Sequence, residues 1–134
     1  MYSTAGIMGP LASITDMDID VYNCTLAVNL RGSALAIKHA ARAMVASKTR
    51  SSIVCTGSVL SIPAGMRHNP YTVSKHGLLG LVRSAASELG AFGIRANCIS
   101  PYRLAAPMAC GLMNLEPAVV EAMSDLKGIT LKVD

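Results

Sequence analysis

The sequence has few aromatic and few charged side chains. Of its 134 residues none is Trp and one is Phe, and charged residues make up 15%, against roughly 25% in an average soluble domain. Hydrophobic residues account for 51% of the chain, and small ones dominate. This composition argues against a disordered chain and predicts a globular domain whose helices pack tightly against a sheet.

Charge clusters and long hydrophobic runs are also missing. The net charge is +4, but the Lys and Arg residues are scattered, which argues against nucleic acid as a partner. Charged residues interrupt each apolar stretch before it reaches the length of a membrane span, roughly 18–20 residues, so no transmembrane helix is predicted. No signal peptide is visible at the N-terminus. We therefore expect a cytoplasmic protein without a membrane partner.

The four cysteines form no recognisable metal or disulfide pattern. Cys24, Cys55, Cys98 and Cys110 are widely spaced, without a C-x-x-C pair or a His at ligand spacing. We expect reduced, mostly buried thiols and no metal site.

Short β-branched runs alternate with helical patterns along the chain. Residues 1–10 have the pattern of a strand end followed by a Gly-containing loop. The alternation predicts an α/β fold with a parallel sheet and right-handed crossovers. The predicted ranges are 51–56 and 94–99 for strands, 19–47, 71–89 and 116–127 for helices, and 103–115 for a loop.

The most informative pattern is a Tyr followed by a Lys one helical turn later. Tyr71 and Lys75 lie on the same face of the predicted helix, and a nearby ammonium favours the phenolate, so it should lower the pKa of the Tyr. Such a Tyr can exchange a proton with an alcohol or a carbonyl. Ser58, thirteen residues upstream, follows a predicted strand and could hold the substrate oxygen. Taken alone, the pair also fits a helix N-terminus with a surface Lys.

Three further polar residues have alternative interpretations. Asn29 lies near the middle of the first long helix, where its amide competes for backbone hydrogen bonds. Taken alone, it is most simply a tolerated buried polar residue. We expect His68 and His76 to be surface or loop residues rather than catalytic ones.

Several segments follow one another in the order of a known enzyme family. They read Ala5-Gly6-Ile7, Val28-Asn29-Leu30-Arg31-Gly32, Thr56-Gly57-Ser58, Tyr71-Thr72-Val73-Ser74-Lys75 and Gly93-Ile94-Arg95-Ala96-Asn97-Cys98-Ile99-Ser100-Pro101. With them the chain resembles the short-chain dehydrogenase/reductase superfamily. Within it, the nearest group is that of plant alcohol dehydrogenases acting on terpenoid, sterol-like or phenolic alcohols, such as xanthoxin dehydrogenase, secoisolariciresinol dehydrogenase and momilactone A synthase.

This resemblance implies an NAD(P)-dependent oxidoreductase that interconverts a secondary alcohol and a ketone. Its catalytic tetrad would consist of Asn29, Ser58, Tyr71 and Lys75. Tyr71 would be the acid/base, Lys75 would lower its pKa and bind the nicotinamide ribose, Ser58 would hold the substrate oxygen, and Asn29 would anchor a relay water.

The resemblance also implies a cofactor site and a quaternary structure. Ala5, Gly6 and Pro101, together with Tyr71 and Lys75, would contact NAD or NADP. Homo-oligomers, dimers or tetramers, would form through the helices at 19–47 and 71–89.

The chain also departs from the family pattern. It lacks the Gly-rich turn and its βαβ units as well as the last strand, so we expect one partial domain, 1–134, of a Rossmann-like doubly wound sheet. The family's Asn-Asn-Ala-Gly turn reads Ser3-Thr4-Ala5-Gly6 here. The alternatives are a truncated, non-catalytic remnant that docks onto full-length homologues, or a chain without function.

Overall fold

A computed structural model describes residues 1–64, 68–102 and 104–125. The chain divides into two compact units, Met1–Ser100 and Pro101–Asp134, and each is described separately. The single domain predicted over 1–134 stays a prediction.

The first unit contains a three-stranded parallel sheet. Its strands are β1 (Tyr2–Ser3), β2 (Ser52–Thr56) and β3 (Arg95–Ile99), in the order β1-β2-β3. The register pairs Ser3 with Cys55, and Cys55 with Cys98. The sequence prediction of a parallel α/β sheet is confirmed, and both longer strands begin one residue after their earliest predicted positions.

The helix predicted over 19–47 is present but has an internal irregularity. It consists of α1 (Ile19–Leu26), a π-helical segment (Ala27–Gly32) and α2 (Ser33–Ser47). The Asp18 carboxylate caps α1 by accepting hydrogen bonds from Asp20 N and Val21 N. Lys48 ends α2 in the left-handed conformation, with φ 53°. The π-helical segment contains Asn29, and such segments occur frequently at functional sites.

The second long helix, α3 (Asn69–Leu89), begins two residues before the predicted Tyr71. Pro70 lies in its first turn, where a missing N–H costs no hydrogen bond. A short 3₁₀ turn, Gly90–Phe92, follows, and Gly93 reverses the chain with φ 69°. This helix covers one face of the sheet, and its buried apolar side chains join those of β2 and β3 in the core: Leu78, Val82, Ala85, Leu89, Ile53, Cys55 and Ala96.

The second unit contains α4 (Pro107–Met113) and α5 (Pro117–Asp125). The predicted loop over 103–115 is wrong for the seven residues of α4. Pro107 stands in the first turn of this helix, and Asn114 ends it at φ 49°. The predicted helix at 116–127 is confirmed from Pro117 onwards, and its last two positions, like Arg103, lie outside the described residues.

Two expectations about composition can be compared with the structure. All four cysteines are free, but only Cys55 is buried, and Cys24 is exposed. The expectation of mostly buried thiols is therefore wrong, because Cys24 faces solvent on α1 while Cys98 and Cys110 are only partly covered. Across the described ranges, no helix has the length and apolar character needed to cross a membrane.

Candidate active site

Lys75 is a buried lysine without a carboxylate partner in the described part of the chain. Its side chain is 4% exposed. The Nζ atom donates a hydrogen bond of 2.8 Å to Thr56 O, at the carboxyl end of β2. Burial lowers the pKa of Lys75, and the nearby Cys98 and Cys55 thiols oppose that shift. Buried, unpaired ammonium groups are uncommon in proteins and often occur where chemistry takes place.

Tyr71 lies one helical turn before Lys75, and the structure brings the two side chains together. The Lys75 Nζ atom is 5.4 Å from the centroid of the Tyr71 ring, within the range of a cation–π contact. The Ser58 side chain lies close enough to Tyr71 to act on the pKa of the phenol. The structure therefore brings Ser58, Tyr71 and Lys75 together.

The expected direction of the Tyr71 pKa shift is wrong for this chain. Burial raises the pKa of Tyr71, and the Ser58 side chain only partly opposes that rise. Spacing placed a positive charge beside the phenol, but it could not show that the phenol is 7% exposed. Desolvation disfavours the charged phenolate and is the largest cause of the shift.

Ser58 is positioned by the end of β2. The strand finishes at Thr56, Gly57 N donates to Ile99 O at 2.7 Å, and Ser58 then caps a 3₁₀ turn (Val59–Ser61). Its hydroxyl accepts a hydrogen bond from Leu60 N at 3.2 Å. The carboxyl end of a parallel sheet is the usual ligand edge of such folds, and Ser58 and Lys75 both lie there.

Asn29 is fully buried and connects three parts of the unit. Its Oδ1 accepts from Ile7 N and its Nδ2 donates to Ile7 O, each at 2.8 Å. Nδ2 also donates to Ser74 Oγ at 3.0 Å, and Ser74 Oγ donates to Tyr71 O at 2.7 Å. Asn29 therefore joins the loop after β1 to the helical turn that carries Tyr71.

Sequence reasoning missed Ser74 as a part of this network. Ser74 is fully buried on α3, where a Ser needs a hydrogen-bond partner because the cost of an unpaired buried hydroxyl is high. The available signal was that Ser74 lies on the same face of the predicted helix as its apolar core residues.

The predicted cofactor residues fall into two groups. Gly6 lies against the tetrad: a Cβ atom there would be 3.4 Å from Asn29 Oδ1 and 3.6 Å from Lys75 Nζ. Ala5 precedes it in the same loop and is exposed. Pro101 belongs to the second unit, and its predicted role stays a prediction.

The two histidines near α3 differ from each other. His76 is exposed and contacts Thr72 O and Ile62 O at 2.9 and 3.0 Å, as expected of a surface residue. His68 lies in the loop before α3, as expected, but its side chain is buried. Burial lowers the pKa of His68, and its Nδ1 has no hydrogen-bond partner among the described residues. In the same residues, no cluster of three or more potential metal ligands occurs.

Comparisons with known proteins identify the family of this chain. A family model described as enoyl-(acyl carrier protein) reductase matches residues 1–129. Short-chain dehydrogenase reductase 3b of Arabidopsis thaliana is 49% identical over 136 residues, which cover 98% of this chain and 53% of that protein. Momilactone A synthase of Oryza sativa subsp. japonica is 40% identical over 140 residues, covering 100% and 51% of the two chains.

A solved structure shows the same fold. It is a protein of Beutenbergia cavernae, provisionally assigned as an NAD(P)-dependent gluconate 5-dehydrogenase, with bound NADP at low occupancy. The TM-score is 0.81 at 26% identity, over 95% of this chain and 49% of that one. The chain thus spans about half the length of the curated relatives it matches. From the family match, the relatives and the parallel sheet, the chain belongs to the short-chain dehydrogenase/reductase superfamily and has part of its Rossmann-like fold.

Proposed function

We propose that this chain carries the catalytic groups of an NAD(P)-dependent oxidoreductase that interconverts a secondary alcohol and a ketone. The observation that supports this best is the buried Lys75 ammonium, 5.4 Å from the centroid of the Tyr71 ring, with Ser58 close to the same phenol. The substrate class proposed is a terpenoid, sterol-like or phenolic alcohol. The similar plant protein named momilactone A synthase supports a specialised metabolite.

The residues at the tetrad fit one end of a nicotinamide cofactor. An ammonium group has three N–H donors, and Lys75 uses one of them on Thr56 O. The others remain for ribose hydroxyls, and the missing side chain of Gly6 leaves room beside Nζ. No G-x-G-x-x-G turn occurs in residues 1–134, so this chain's own residues account for the nicotinamide ribose and not for the pyrophosphate.

The proton step is assigned to Tyr71. In the direction of reduction, its O–H donates a proton to the carbonyl oxygen of the substrate, and Ser58 donates a second hydrogen bond to the same oxygen. In the direction of oxidation, the Tyr71 phenolate takes the proton of the alcohol. NAD or NADP, when bound, would supply or accept the hydride. Because burial raises the pKa of Tyr71, the phenol is protonated at neutral pH and prepared for reduction.

Asn29 acts in this proposal as a positioning residue. Both N–H groups of its amide are used, on Ile7 O and Ser74 Oγ. A relay water could therefore only donate a hydrogen bond, either to Oδ1 or to the main-chain oxygen of Asn29. Each of these oxygens has two lone pairs. The amide holds Ser74, and through it the first turn of α3, at a fixed distance from the loop that contains Gly6.

The remaining contacts of the proposed enzyme follow from the family. Ala5 and Pro101 would contact the cofactor together with Gly6. Homo-oligomers would form through the two long helices, which expose Leu35 and Val73. The partners proposed are thus a small alcohol or ketone and further copies of the same protein.

The test uses the native polypeptide that contains residues 1–134, identified and purified with an antibody against α3. Activity is followed by the absorbance of NADH or NADPH with a panel of terpenoid, sterol-like and phenolic alcohols. Tyr71→Phe removes the O–H and should lower kcat at least about 100-fold, the usual contribution of acid–base catalysis. The matched control is Tyr22→Phe on α1, which should retain activity. Cofactor binding combined with full activity of Tyr71→Phe would refute the assignment.

A further inference from the structure

A cavity lies at the amino-terminal edge of the sheet, opposite the tetrad. Residues 50–52, before and at the start of β2, line it on one side, and Gly90 and residues 93–95 line it on the other. Its volume is about 430 Å³, within the range of small-molecule sites, roughly 300–1,000 Å³. Because β2 has five residues, the cavity and the tetrad are separated by roughly 16 Å along the strand.

Two arginines line this cavity without a charged partner. Arg50 and Arg95 have no ion pair with any carboxylate in the described ranges, and their guanidinium groups make no hydrogen bond there. A guanidinium group carries five N–H donors in a planar fork that matches phosphate oxygens. The cavity therefore contains positive charge and hydrogen-bond donors that the described protein itself does not use.

The backbone around the arginines is well defined by local contacts. Arg95 N donates to Ser51 O at 3.0 Å, which ties the two sides of the cavity together. Gly93 has φ 69°, and a Cβ atom there would lie 3.5 Å from Arg50 Cγ. The Arg50 stem therefore packs across the turn between α3 and β3. Ser51 and Ser52 add two hydroxyl groups to the lining.

We propose that this cavity binds a phosphate group, either as a free anion or as a small phosphomonoester. Phosphomonoesters carry close to two negative charges near neutral pH, because their second pKa is about 6. Two guanidinium groups can pair with such a group through charge-assisted, bidentate hydrogen bonds. The volume of about 430 Å³ exceeds what a phosphate needs, so an organic substituent fits the remaining space.

The experiment is isothermal titration calorimetry of the 134-residue chain with inorganic phosphate and with phenyl phosphate, at constant ionic strength. Saturable binding at one site is expected. Arg50→Gln/Arg95→Gln should weaken it at least about tenfold, because both charged bidentate contacts are lost. The control, Arg42→Gln/Arg83→Gln, removes the same charge from exposed positions on α2 and α3 and should change affinity by less than about twofold.

The outcomes separate the possible ligands and the possible failures. Tighter binding of phenyl phosphate assigns the site to phosphomonoesters, and equal affinities assign it to the free anion. Equal losses in both double variants, or no saturable binding, would overturn the proposal in favour of general charge attraction.

NMR titration of the unmutated chain gives a second test without substitutions: phosphate should shift the amide signals of Ser51, Ser52 and Arg95. Tyr71→Phe should bind phosphate normally, so a failure of the phosphate proposal can be distinguished from a failure of the oxidoreductase proposal.

Discussion

The burial of the Lys75 ammonium, which the proposed chemistry requires, lowers the stability of the fold. Its pKa is lowered by burial, so the folded state disfavours the charged form. A group of this kind destabilises the fold at low and neutral pH. The penalty disappears as the pH rises above the folded pKa and towards the ordinary lysine value, about 10.4.

Lys75→Met should therefore stabilise the chain while it abolishes the proposed activity. An apolar side chain of similar length removes the buried charge, and the expected gain is about 1 kcal/mol, or roughly 4 °C in Tm at pH 7. Thermal unfolding followed by circular dichroism measures the change. The difference between the two proteins should shrink as the pH approaches that of free lysine.

The exposed Lys38 on α2 provides a control for Lys75→Met. Lys38→Met should leave Tm nearly unchanged, because surface charges contribute little. A lower Tm for Lys75→Met than for the unmutated chain at pH 7 would show that the bond from Nζ to Thr56 O outweighs the cost of burial.

Tyr71 gives a prediction about pH. Its folded pKa is raised, so the unfolded chain releases this proton first. The stability that Tyr71 contributes is complete below about pH 10 and is lost as the pH rises through the folded pKa. In the proposed reaction, reduction needs the phenol, and oxidation needs the phenolate.

The rate of alcohol oxidation should accordingly rise with pH beyond neutrality, whereas the rate of ketone reduction should not. Profiles of kcat/KM in both directions, measured on the native polypeptide with its cofactor, test this expectation. Ultraviolet titration of the chain alone should show a tyrosine ionisation above the ordinary tyrosine value of about 10, and Tyr71→Phe should remove that step. If Tyr71→Phe instead removed a tyrosine ionisation below about pH 10, the raised pKa of Tyr71 would be contradicted.

At the scale of elements, the end of β2 depends on a close approach at Gly57. A Cβ atom there would lie 2.6 Å from Cys98 Sγ and 3.3 Å from Ile99 O. Gly57→Ala should therefore push β2 away from β3, with a loss of about 1–3 kcal/mol, as expected for overpacking. Because Ser58 is the next residue, its effect on Tyr71 should weaken as well. Urea unfolding gives the change in free energy.

Gly80 on α3 is the matched control for this substitution. A Cβ atom there meets nothing within 4 Å, so Gly80→Ala should stabilise the helix by up to about 1 kcal/mol. Adding Cys98→Ala to Gly57→Ala should recover part of the loss, since it removes the closest atom. Equal stability of Gly57→Ala and the unmutated chain would show that the strands can separate at no cost.

The predictability of the elements from sequence follows from the kind of signal each one leaves. Strands β2 and β3 and helix α3 have clear periodicity and Gly or Pro at their ends, and their ranges were predicted within two residues. Asn29 in mid-helix indicated competition for backbone hydrogen bonds, but it did not specify the π-helical form of this turn. The short α4 contains too few residues to show a period. The association of Ser58, Tyr71 and Lys75 was predicted, but the Tyr71 pKa depends on burial, which spacing does not reveal.

At the scale of the whole molecule, the two edges of the sheet differ in character. The carboxyl edge holds the buried tetrad, in which Asn29 donates to Ser74 Oγ and Lys75 donates to Thr56 O. The amino edge holds an open cavity lined by Arg50 and Arg95, which form no ion pair within the described residues. Neither edge involves the outer surfaces of the long helices, where Leu35 on α2 and Val73 on α3 are 45% and 44% exposed. These outer surfaces are the ones proposed for self-association.

The native polypeptide should therefore form an oligomer that Leu35→Glu/Val73→Glu dissociates. A stable dimer buries about 800 Å² on each partner, and an unpaired carboxylate within that area should weaken association at least about tenfold. Size-exclusion chromatography with light scattering measures the mass over a range of concentrations. Ile14→Glu is the control, because Ile14 is 70% exposed but lies in the loop before α1. A monomer at all concentrations, or equal dissociation by Ile14→Glu, would show that these helices do not form the interface.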